Sequence, residues 1–575
     1  MVNPSTLLAR AVVDELVARG VREVVLCPGS RSAPLAYALH AADAAGSLRL
    51  HVRHDERAAA FTALGAGRAG SLAAVVTTSG TAVANLHPAV LEAAEAGVGL
   101  LVLTADRPHV LRGSWANQTT ALQAGIFGAA VRCALDLAVP GPAELLQRAV
   151  TTWRAGVADA VRAACGDERS RPGPVHLDLA FDDPLVPDDA PAAAAAPSSP
   201  ALGERQDDDV PGGVEVLTGL VGSGPEETVV VAGDGAGPGA RALAQAHGWP
   251  LLAEPSSGAR SGPNAVGAYR LLLADPSLGG AVRRAVVLGR PTLSRPVARL
   301  LARADVDVDV VQVVRHRDDP APPFPVRRVV STAGVTGSRD HGGGGPWLAA
   351  WRRAGEAAAS AVDAVLDAEA AAGRMSGPLV AREVAAALGE GSHLVAAASN
   401  PVRDLDLAAR PWAGAGPVVL ANRGLAGIDG TLSTASGAAL GARGPVRVLV
   451  GDLALLHDAN GLLLPPGEVE PDVGVVVVND DGGGIFTGLE HGEPERAATF
   501  ERLFGTPHGA DLAALAAALG VPHRRADDLA SLRAALAEPV RGRSVLEVRT
   551  DREGLRALHA RIAAEVASAV QAASA

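Results

Sequence analysis

Two apolar segments, each followed by an acidic turn, constrain the fold of the C-terminal part of this 575-residue chain. Residues 446–450 run into Asp452, and residues 474–478 run into Asp480 and a glycine-rich turn. The residues between them, 453–464, have a helical pattern and end at a Pro/Gly turn. This order predicts a strand, a helix and a second strand that is parallel to the first.

Asp452 and Asp480 should lie side by side, because parallel strands end at the same edge of a sheet, where ligands bind. Carboxylate oxygens suit a hard divalent cation, and the backbone N–H groups of a neighbouring turn suit a diphosphate. An aspartate at a single strand end is more typical of a structural role. The pair, with glycine turns at both ends, favours a binding site.

Strand and helix patterns also alternate through the rest of the chain, which predicts an α/β protein with three doubly wound parallel-sheet domains. A stretch rich in Ala, Pro, Ser and Asp indicates a linker between the first two domains. The predicted segments are an N-terminal domain (1–186), the linker (187–213), a central domain (214–346), a connecting helix (347–375) and a C-terminal domain (376–575).

Composition limits the function. The formal net charge is −12 and every basic residue is Arg, which argues against nucleic acid as a partner and excludes mechanisms that need a lysine. Three cysteines without a C-x-x-C pair indicate neither a disulfide framework nor a zinc site and fit a reducing cytoplasm. The amphipathic N-terminus is unlike a signal peptide, and no run of about 18 apolar residues predicts a membrane span.

A glycine turn at residues 233–237 is similar to a dinucleotide-binding fingerprint. Pro238 stands where the third glycine of that motif belongs, so a tight turn between a strand and a helix is the favoured interpretation. An oxidoreductase centred on this turn is kept as an alternative, which a flavin absorbance of the purified protein would support.

Two features of the N-terminal domain could carry chemistry. Glu56 opens a helix, where it is either an exposed acid stabilised by the helix dipole or a buried acid that exchanges a proton with a ligand. The turn around Ser79 and Gly80 consists of small residues, so a ligand could approach its backbone closely.

Several arginines stand where loops meet strand ends rather than on helix faces. Most arginines of an acidic protein are surface residues, but a guanidinium group in such a turn can pair with a carboxylate through two hydrogen bonds. The arginines in question are Arg31, Arg107, Arg295, Arg403 and Arg423.

The chain resembles the thiamine-diphosphate-dependent enzymes, and within them the family of 2-succinyl-5-enolpyruvyl-6-hydroxy-3-cyclohexene-1-carboxylate (SEPHCHC) synthases of menaquinone biosynthesis. The resemblance covers all three domains and is weakest in the central one. The motifs that carry it are CPGSRS (27–32), HDER (54–57), TSGTAVAN (78–85), LTADRP (103–108), ANQ (116–118), GPVHL (173–177), ANRGLAGIDG (421–430) and NDDGGGIF (479–486).

The resemblance implies an activity, a cofactor and a metal. The family decarboxylates 2-oxoglutarate on thiamine diphosphate and adds the succinyl group to isochorismate, releasing CO2. The N-terminal domain would bind the pyrimidine ring and the C-terminal domain the diphosphate and Mg²⁺ or Mn²⁺. Asp452, Asp480 and the Gly482 carbonyl would be the metal ligands. The residues implied to bind the cofactor are Glu56, Ser79, Gly80, Asn85, Ile428, Gly451, Asp452, Leu453, Asn479 and Ile485.

The family also implies roles for individual side chains. Glu56 would bond N1′ of the cofactor, and Ile428 would hold the cofactor in its bent shape. Glu56, Ser399 and Arg423 would be the catalytic residues. The residues implied to bind the two substrates are Ser30, Arg31, Arg107, Asn117, Gln118, Arg295, Ser399, Arg403, Arg423 and Phe486.

Three positions depart from the expected patterns. Arg295 stands where the family often has lysine. Leu453 replaces a glycine of the broader cofactor motif but is usual for the close family, and Asp480 replaces the asparagine of the broader motif, which adds one negative charge at the metal. Mg²⁺ and Mn²⁺ should tolerate this charge because both prefer carboxylate oxygen.

The resemblance further implies an active site built between two chains, so a homodimer is the minimum and a homotetramer is expected. The alternative activity is another thiamine-diphosphate-dependent 2-oxo acid decarboxylase or carboligase, similar to acetolactate synthase. The many arginines argue against this alternative, because small 2-oxo acids need fewer cationic partners.

Overall fold

A computed structural model describes residues 3–140, 145–167, 170–188, 221, 224–312, 321–331 and 345–574. These residues form three separate sheets with helices between the strands. Every strand pair in the three sheets is parallel, so the α/β class is confirmed. None of the described helices has the length and apolarity needed to cross a membrane.

The first sheet has six strands in the order β2-β1-β3-β4-β6-β5. The strands are β1 (Glu23–Leu26), β2 (Arg49–Val52), β3 (Ala73–Thr77), β4 (Leu100–Asp106), β5 (Ala134–Ala138) and β6 (Pro174–Ala180). The helices are α1 (Pro4–Ala18), α2 (Ala33–Ala44), α3 (Glu56–Arg68), α4 (Thr81–Ala84), α5 (His87–Ala96) and α6 (Leu146–Cys165).

Two details of this sheet are not evident from the alternating pattern of strands and helices. Residues 81–96 form two helices, α4 and α5, because Pro88 lies in the first turn of α5 and has no N–H to continue a preceding helix. Strand β5 was not predicted. It lies at the edge of the sheet and is partly exposed, so it lacks the apolar run that marks the central strands.

The second sheet has five strands in the order β11-β10-β9-β7-β8. They are β7 (Thr228–Ala232), β8 (Leu251–Ala253), β9 (Arg284–Leu288), β10 (Asp307–Gln312) and β11 (Arg328–Ser331). The helices of this region are α7 (Pro238–His247), α8 (Tyr269–Leu272), α9 (Arg295–Leu301) and the long α10 (Pro346–Ala371). The predicted linker, apart from residues 187 and 188, lies outside the described residues, and the domain boundaries themselves stay predictions.

The glycine turn after β7 is packed against its own domain. Asp234 and Arg290 exchange two backbone hydrogen bonds of 3.0 Å, and an added Cβ at Gly233 would overlap the Arg290 backbone. A second loop therefore covers this turn, as expected for a tight connection between a strand and a helix.

The third sheet has six strands in the order β13-β12-β14-β15-β17-β16. They are β12 (His393–Ala396), β13 (Val418–Leu420), β14 (Val446–Gly451), β15 (Val473–Asn479), β16 (His523–Ala526) and β17 (Arg543–Arg549). The helices are α11 (Gly377–Ala386), α12 (Asn400–Ala408), α13 (Thr431–Ala442), α14 (Asp452–His457), α15 (Ala497–Phe500), α16 (Leu512–Ala518), α17 (Leu529–Ala537) and α18 (Leu555–Ser574).

The predicted strand, helix and parallel strand are present at the centre of this sheet. β14 and β15 are neighbours, with Gly451 opposite Val478. The helix expected over 453–464 is shorter: α14 is followed by a 3-10 turn, Ala459–Leu462. The two acidic turns therefore leave the sheet next to each other.

The N-terminal and C-terminal domains are joined by helices α3 and α13, whose backbones approach closely. An added Cβ at Gly437 would overlap the Thr62 carbonyl oxygen, and one at Gly65 would overlap the Thr434 carbonyl oxygen. Only glycine permits backbones to come this near.

Asp458 ties α13 to the segment that follows α14. Its carboxylate accepts the Ser433 N–H at 2.8 Å and the Ser433 hydroxyl at 2.9 Å, which satisfies a donor in the first turn of α13. Burial raises the pKa of Asp458 to about 6. Between pH about 4 and about 6, the folded protein thus keeps a proton that the unfolded chain has released.

Asp458→Asn should therefore change the pH dependence of stability. The raised pKa lowers the parent's free energy of unfolding as pH rises from about 4 to about 6, by at most about 3 kcal/mol. Asparagine does not titrate, so the Tm of the variant minus that of the parent should increase across this window and then level off. A Tm difference that stays constant from pH 4 to 7 would contradict the assignment.

Candidate functional site

A cavity of about 510 Å³ opens at the C-terminal edge of the third sheet. It lies where the turns after β12, β14 and β15 meet. Nine of the predicted site residues line it: Ser399, Ile428, Gly451, Asp452, Leu453, Asp480, Gly482, Ile485 and Phe486.

Asp452 is a buried acid of this cavity. It opens α14 and is 2% exposed. Its carboxylate accepts the Leu453 N–H at 2.6 Å and the Gly482 N–H at 3.0 Å, and it lies 3.2 Å from Nε2 of His508. These contacts fix the orientation of the carboxylate and connect the β14 turn to the β15 turn.

Asp480 stands beside this carboxylate. Burial and the charge of Asp452 raise its pKa to about 7. Two buried carboxyl groups that repel each other form a donor set that a divalent cation would neutralise. No group of three or more His, Cys, Asp or Glu side chains suited to a metal occurs among the described residues, and the role of Asp452, Asp480 and the Gly482 carbonyl as metal ligands stays a prediction.

The glycines of the β15 turn allow this arrangement. Gly482 has φ +143°, and a Cβ there would overlap the Gly505 carbonyl oxygen. A Cβ at Gly484 would overlap the Asp480 carboxylate. Larger residues would therefore displace either the turn or the acid that it carries.

Asn479 is not among the residues that line the cavity. Its Nδ2 donates to Glu547 at 2.7 Å, and its Oδ1 accepts the Asp481 N–H at 3.1 Å. The side chain stabilises the turn through Asp481, and its direct contact with a cofactor stays a prediction.

Ser399 lines the same cavity and contacts Arg403. Ser399 has φ +72°, which is strained for a residue with a side chain, and its carbonyl oxygen accepts a 2.6 Å hydrogen bond from Arg403. Burial, and then the charges of Arg423 and Arg270, lower the pKa of Arg403. The arginines therefore lie near one another.

Arg423 is 4% exposed and donates to Oγ1 and the carbonyl oxygen of Thr292 at 3.0 and 3.1 Å. Its Nη1 is buried without a hydrogen-bond partner. Arg295 is more open: its side chain is 64% exposed and lies 3.4 Å from Glu490.

A second cluster lies at the edge of the first sheet. Burial and the charge of Arg107 lower the pKa of Arg31, and Arg107 donates to the Asn117 carbonyl oxygen. Gln118 has φ +53° and lies beside Gly80. Ser30 and Asn85 are exposed on the same domain. The structure thus brings Arg31, Arg107, Asn117 and Gln118 together.

The Ser79–Gly80 turn is supported by Gln123, which is not among the predicted site residues. Gln123 accepts the Gly80 N–H at 3.0 Å and donates to Asp178 at 2.9 Å. The hydroxyl of Ser79 is buried without a hydrogen-bond partner. A single glutamine in a loop gives no motif, so only the folded structure identifies it.

Glu56 begins α3, after Asp55 caps the helix by accepting the Ala58 N–H at 2.9 Å. Its neighbour Arg57 donates to the His457 carbonyl oxygen at 2.6 Å. The cavity beside Asp452 is lined only by residues between 369 and 558. Within one chain, Glu56, Ser79 and Gly80 therefore lie outside the cavity that contains the acidic pair.

In comparisons with known proteins, the segment with Glu56, Ser79 and Gly80 and the segment with Asp452 and Asp480 match two different family models. Residues 7–126 match the family model described as the N-terminal TPP binding domain of thiamine pyrophosphate enzymes, and residues 408–548 match the model of the C-terminal TPP binding domain. Thiamine pyrophosphate is another name for thiamine diphosphate.

The chain is also similar over nearly its whole length to curated proteins named 2-succinyl-5-enolpyruvyl-6-hydroxy-3-cyclohexene-1-carboxylate synthase. It is 54% identical to the protein of Kineococcus radiotolerans, over 99% of this chain and 100% of that protein. It is 50% identical to that of a Nocardioides species (97% and 98%) and 49% identical to that of an Arthrobacter species (98% and 92%). The chain therefore belongs to the SEPHCHC synthase family of thiamine-diphosphate-dependent enzymes.

Proposed function

We propose that this protein decarboxylates 2-oxoglutarate and adds the succinyl group to isochorismate, releasing CO2, as a C–C bond-forming transferase of menaquinone biosynthesis. The observation that carries the proposal is the hydrogen bond from the half-buried Arg403 to the carbonyl oxygen of Ser399, in the wall of the cavity that holds Asp452 and Asp480. A diphosphate and metal site with a guanidinium group this close suits a cofactor enzyme whose substrates carry several carboxylates.

The cofactor would be held by the turns of the third sheet. Asp452, Asp480 and the Gly482 carbonyl would bind Mg²⁺ or Mn²⁺, and Gly451, Leu453 and the turn shaped by Asn479 would receive the diphosphate. Ile428 and Ile485 would contact the rings of the cofactor. Bound thiamine diphosphate supplies the electron sink that decarboxylation of a 2-oxo acid needs.

Glu56 would hold and move a proton at N1′ of the pyrimidine ring, with Ser79, Gly80 and Asn85 around that ring. Gln123 supports this assignment, because it fixes the Gly80 backbone at the turn. The catalytic residues would be Glu56, Ser399 and Arg423.

The substrates would bind between two groups of polar side chains. One group lies on the N-terminal domain and comprises Ser30, Arg31, Arg107, Asn117 and Gln118. The other lies near the C-terminal edge and comprises Arg295, Ser399, Arg403 and Arg423, with Phe486 as an apolar wall. Each guanidinium group would pair with a substrate carboxylate and fix its orientation.

A second copy of the chain would complete the site. Glu56 does not line the cavity beside Asp452, so the N-terminal domain of a partner would supply the missing half. Trp115 and Leu122, which flank Asn117 and Gln118, are large apolar side chains left exposed, as is typical of a surface that a partner covers. A homodimer is the smallest active form, and a homotetramer is proposed. The cytoplasmic location stays a prediction.

The proposed function is tested by mass spectrometry of the products formed from 2-oxoglutarate and isochorismate. SEPHCHC should form only when thiamine diphosphate and Mg²⁺ or Mn²⁺ are both present. Acetolactate made from pyruvate, with no SEPHCHC from the proposed substrates, would favour the alternative carboligase activity.

Arg107→Ala should raise the KM for isochorismate or lower kcat/KM. The expected loss is roughly 10- to 100-fold, because a hydrogen bond to a charged group contributes about 1.5–3 kcal/mol. Steady-state kinetics check this, with Arg162→Ala as a matched control, since Arg162 is exposed on α6 and paired with Asp159. If neither parameter changes, Arg107 does not bind this substrate.

A further inference from the structure

The loop between β13 and α13, residues 421–430, is held from three sides. Within the C-terminal domain, Asn422 donates to the Thr434 hydroxyl at 3.0 Å. In the central domain, the carbonyl oxygen and the hydroxyl of Thr292 accept hydrogen bonds from the Arg423 guanidinium group. From the N-terminal domain, Glu92 accepts two backbone N–H groups of the loop. The loop carries both Arg423 and Ile428, so its position decides where these side chains lie.

Glu92 accepts two of these hydrogen bonds from the loop and a third from an arginine through one carboxylate. It lies on α5 and is 3% exposed. Its Oε1 accepts the Gly424 N–H at 2.8 Å and Nη2 of Arg68 at 3.0 Å, and its Oε2 accepts the Leu425 N–H at 2.7 Å. Hydrogen bonds to an ionised carboxylate are about twice as strong as neutral ones. Arg68 compensates the buried charge, which would otherwise be costly.

Gly424 lies directly against α5. A Cβ at this position would lie 2.7 Å from the Glu92 carbonyl oxygen and 2.9 Å from the Ala96 nitrogen. Any side chain here would therefore push the loop away from the helix. The contact depends on a carboxylate on one side and on a glycine on the other.

We propose that Glu92 is a positioning residue for the reaction: by fixing the Gly424 and Leu425 N–H groups, it sets the position of the adjacent Arg423, which is proposed to bind a substrate carboxylate. The inference rests on the proposed role of Arg423 in substrate binding. Glu92 itself touches neither substrate nor cofactor. Its effect reaches the reaction through the backbone, and a misplacement of about 1 Å at a substrate-orienting group can cost about 100-fold in rate.

Two variants test the contact in different ways. Glu92→Gln replaces one acceptor oxygen by an NH2 group that must face another N–H donor, and Gly424→Ala separates the loop from α5 sterically. Each should lower kcat/KM by roughly 10- to 100-fold. The matched control is Glu95→Gln, on the same helix, whose side chain is 45% exposed and lies 3.5 Å from Arg290. This control should keep the parental kcat/KM.

A double-mutant cycle separates positioning from general destabilisation. If Glu92 acts through Arg423, then Glu92→Gln should cost little in an Arg423→Ala background, because the group that it positions is already gone. Loss of the same factor in both backgrounds would overturn the proposal. So would a Glu92→Gln variant that keeps the parental kcat/KM.

Hydrogen–deuterium exchange gives a readout that does not require turnover. The Gly424 and Leu425 amides should exchange at least about tenfold faster in Glu92→Gln than in the parent or in Glu95→Gln, because their buried acceptor is altered. Unchanged exchange would overturn the proposal. If the parent protein forms no SEPHCHC, the proposed function is wrong, whereas the exchange rates still decide whether Glu92 fixes the loop.

Discussion

Replacement of Glu56 by Gln should abolish turnover while the protein remains folded and still binds thiamine diphosphate. Glutamine preserves the size of the side chain and can hydrogen-bond a ring nitrogen, but it cannot take up and release the proton at N1′. Loss of a positioned general acid–base group typically lowers kcat by roughly 10²- to 10⁴-fold. The helix itself should be unaffected, because its cap is Asp55 and not Glu56.

The measurement combines kcat for SEPHCHC formation with calorimetric titration of thiamine diphosphate in the presence of Mg²⁺. Glu390→Gln is the matched control, since Glu390 is an exposed turn residue of the C-terminal domain, and it should retain the parental values. Full activity of Glu56→Gln would refute the proton-transfer role. A large loss of cofactor affinity in this variant would instead assign Glu56 to cofactor binding alone.

The central strands of the sheets could be predicted from the sequence because each is an apolar run with a turn at its end. β3, Ala73–Thr77, is such a run and is buried at every position. β14 and β15 were also placed as parallel neighbours, and this follows from the short helical segment between them. Strand β5 could not be predicted, because an edge strand that is partly exposed to solvent needs no continuous apolar run.

The acidic pair could be predicted for the same reason. Asp452 and Asp480 each follow a buried strand, and adjacent parallel strands bring their ends together. The side chains that support the site could not be predicted. Gln123, Thr292 and Glu92 act through contacts with residues that are distant along the chain, so no local spacing reveals them.

The arginines proposed to bind substrate could be predicted only in part. Their turn positions indicated a role in binding anions, and the structure places Arg403 near Arg423 and Arg107 near Arg31. The division into two groups did not follow from the sequence, because it depends on how the domains pack. Under the proposed function, a second copy of the chain would bring the two groups together.

Asp452→Ala should remove metal-dependent binding of thiamine diphosphate. The carboxylate is buried, is oriented by two backbone N–H groups and faces the cavity beside Asp480. Loss of a residue that only supports a metal ligand typically costs about 10- to 100-fold in metal affinity. Loss of the ligand itself should therefore weaken cofactor binding by more than about 100-fold in the presence of Mg²⁺ or Mn²⁺.

Thermal unfolding with and without ligands makes this prediction measurable. A cofactor present at 100 times its Kd stabilises a folded protein by about 2.7 kcal/mol, so the parent Tm should rise when thiamine diphosphate and Mg²⁺ are added together. The Tm of Asp452→Ala should not respond. Asp458→Asn is the matched control, because Asp458 is a buried acid at the other end of α14 that bonds Ser433 and does not line the cavity; it should keep the parental response. An Asp452→Ala variant with the parent's titration curve would show that the metal is held elsewhere.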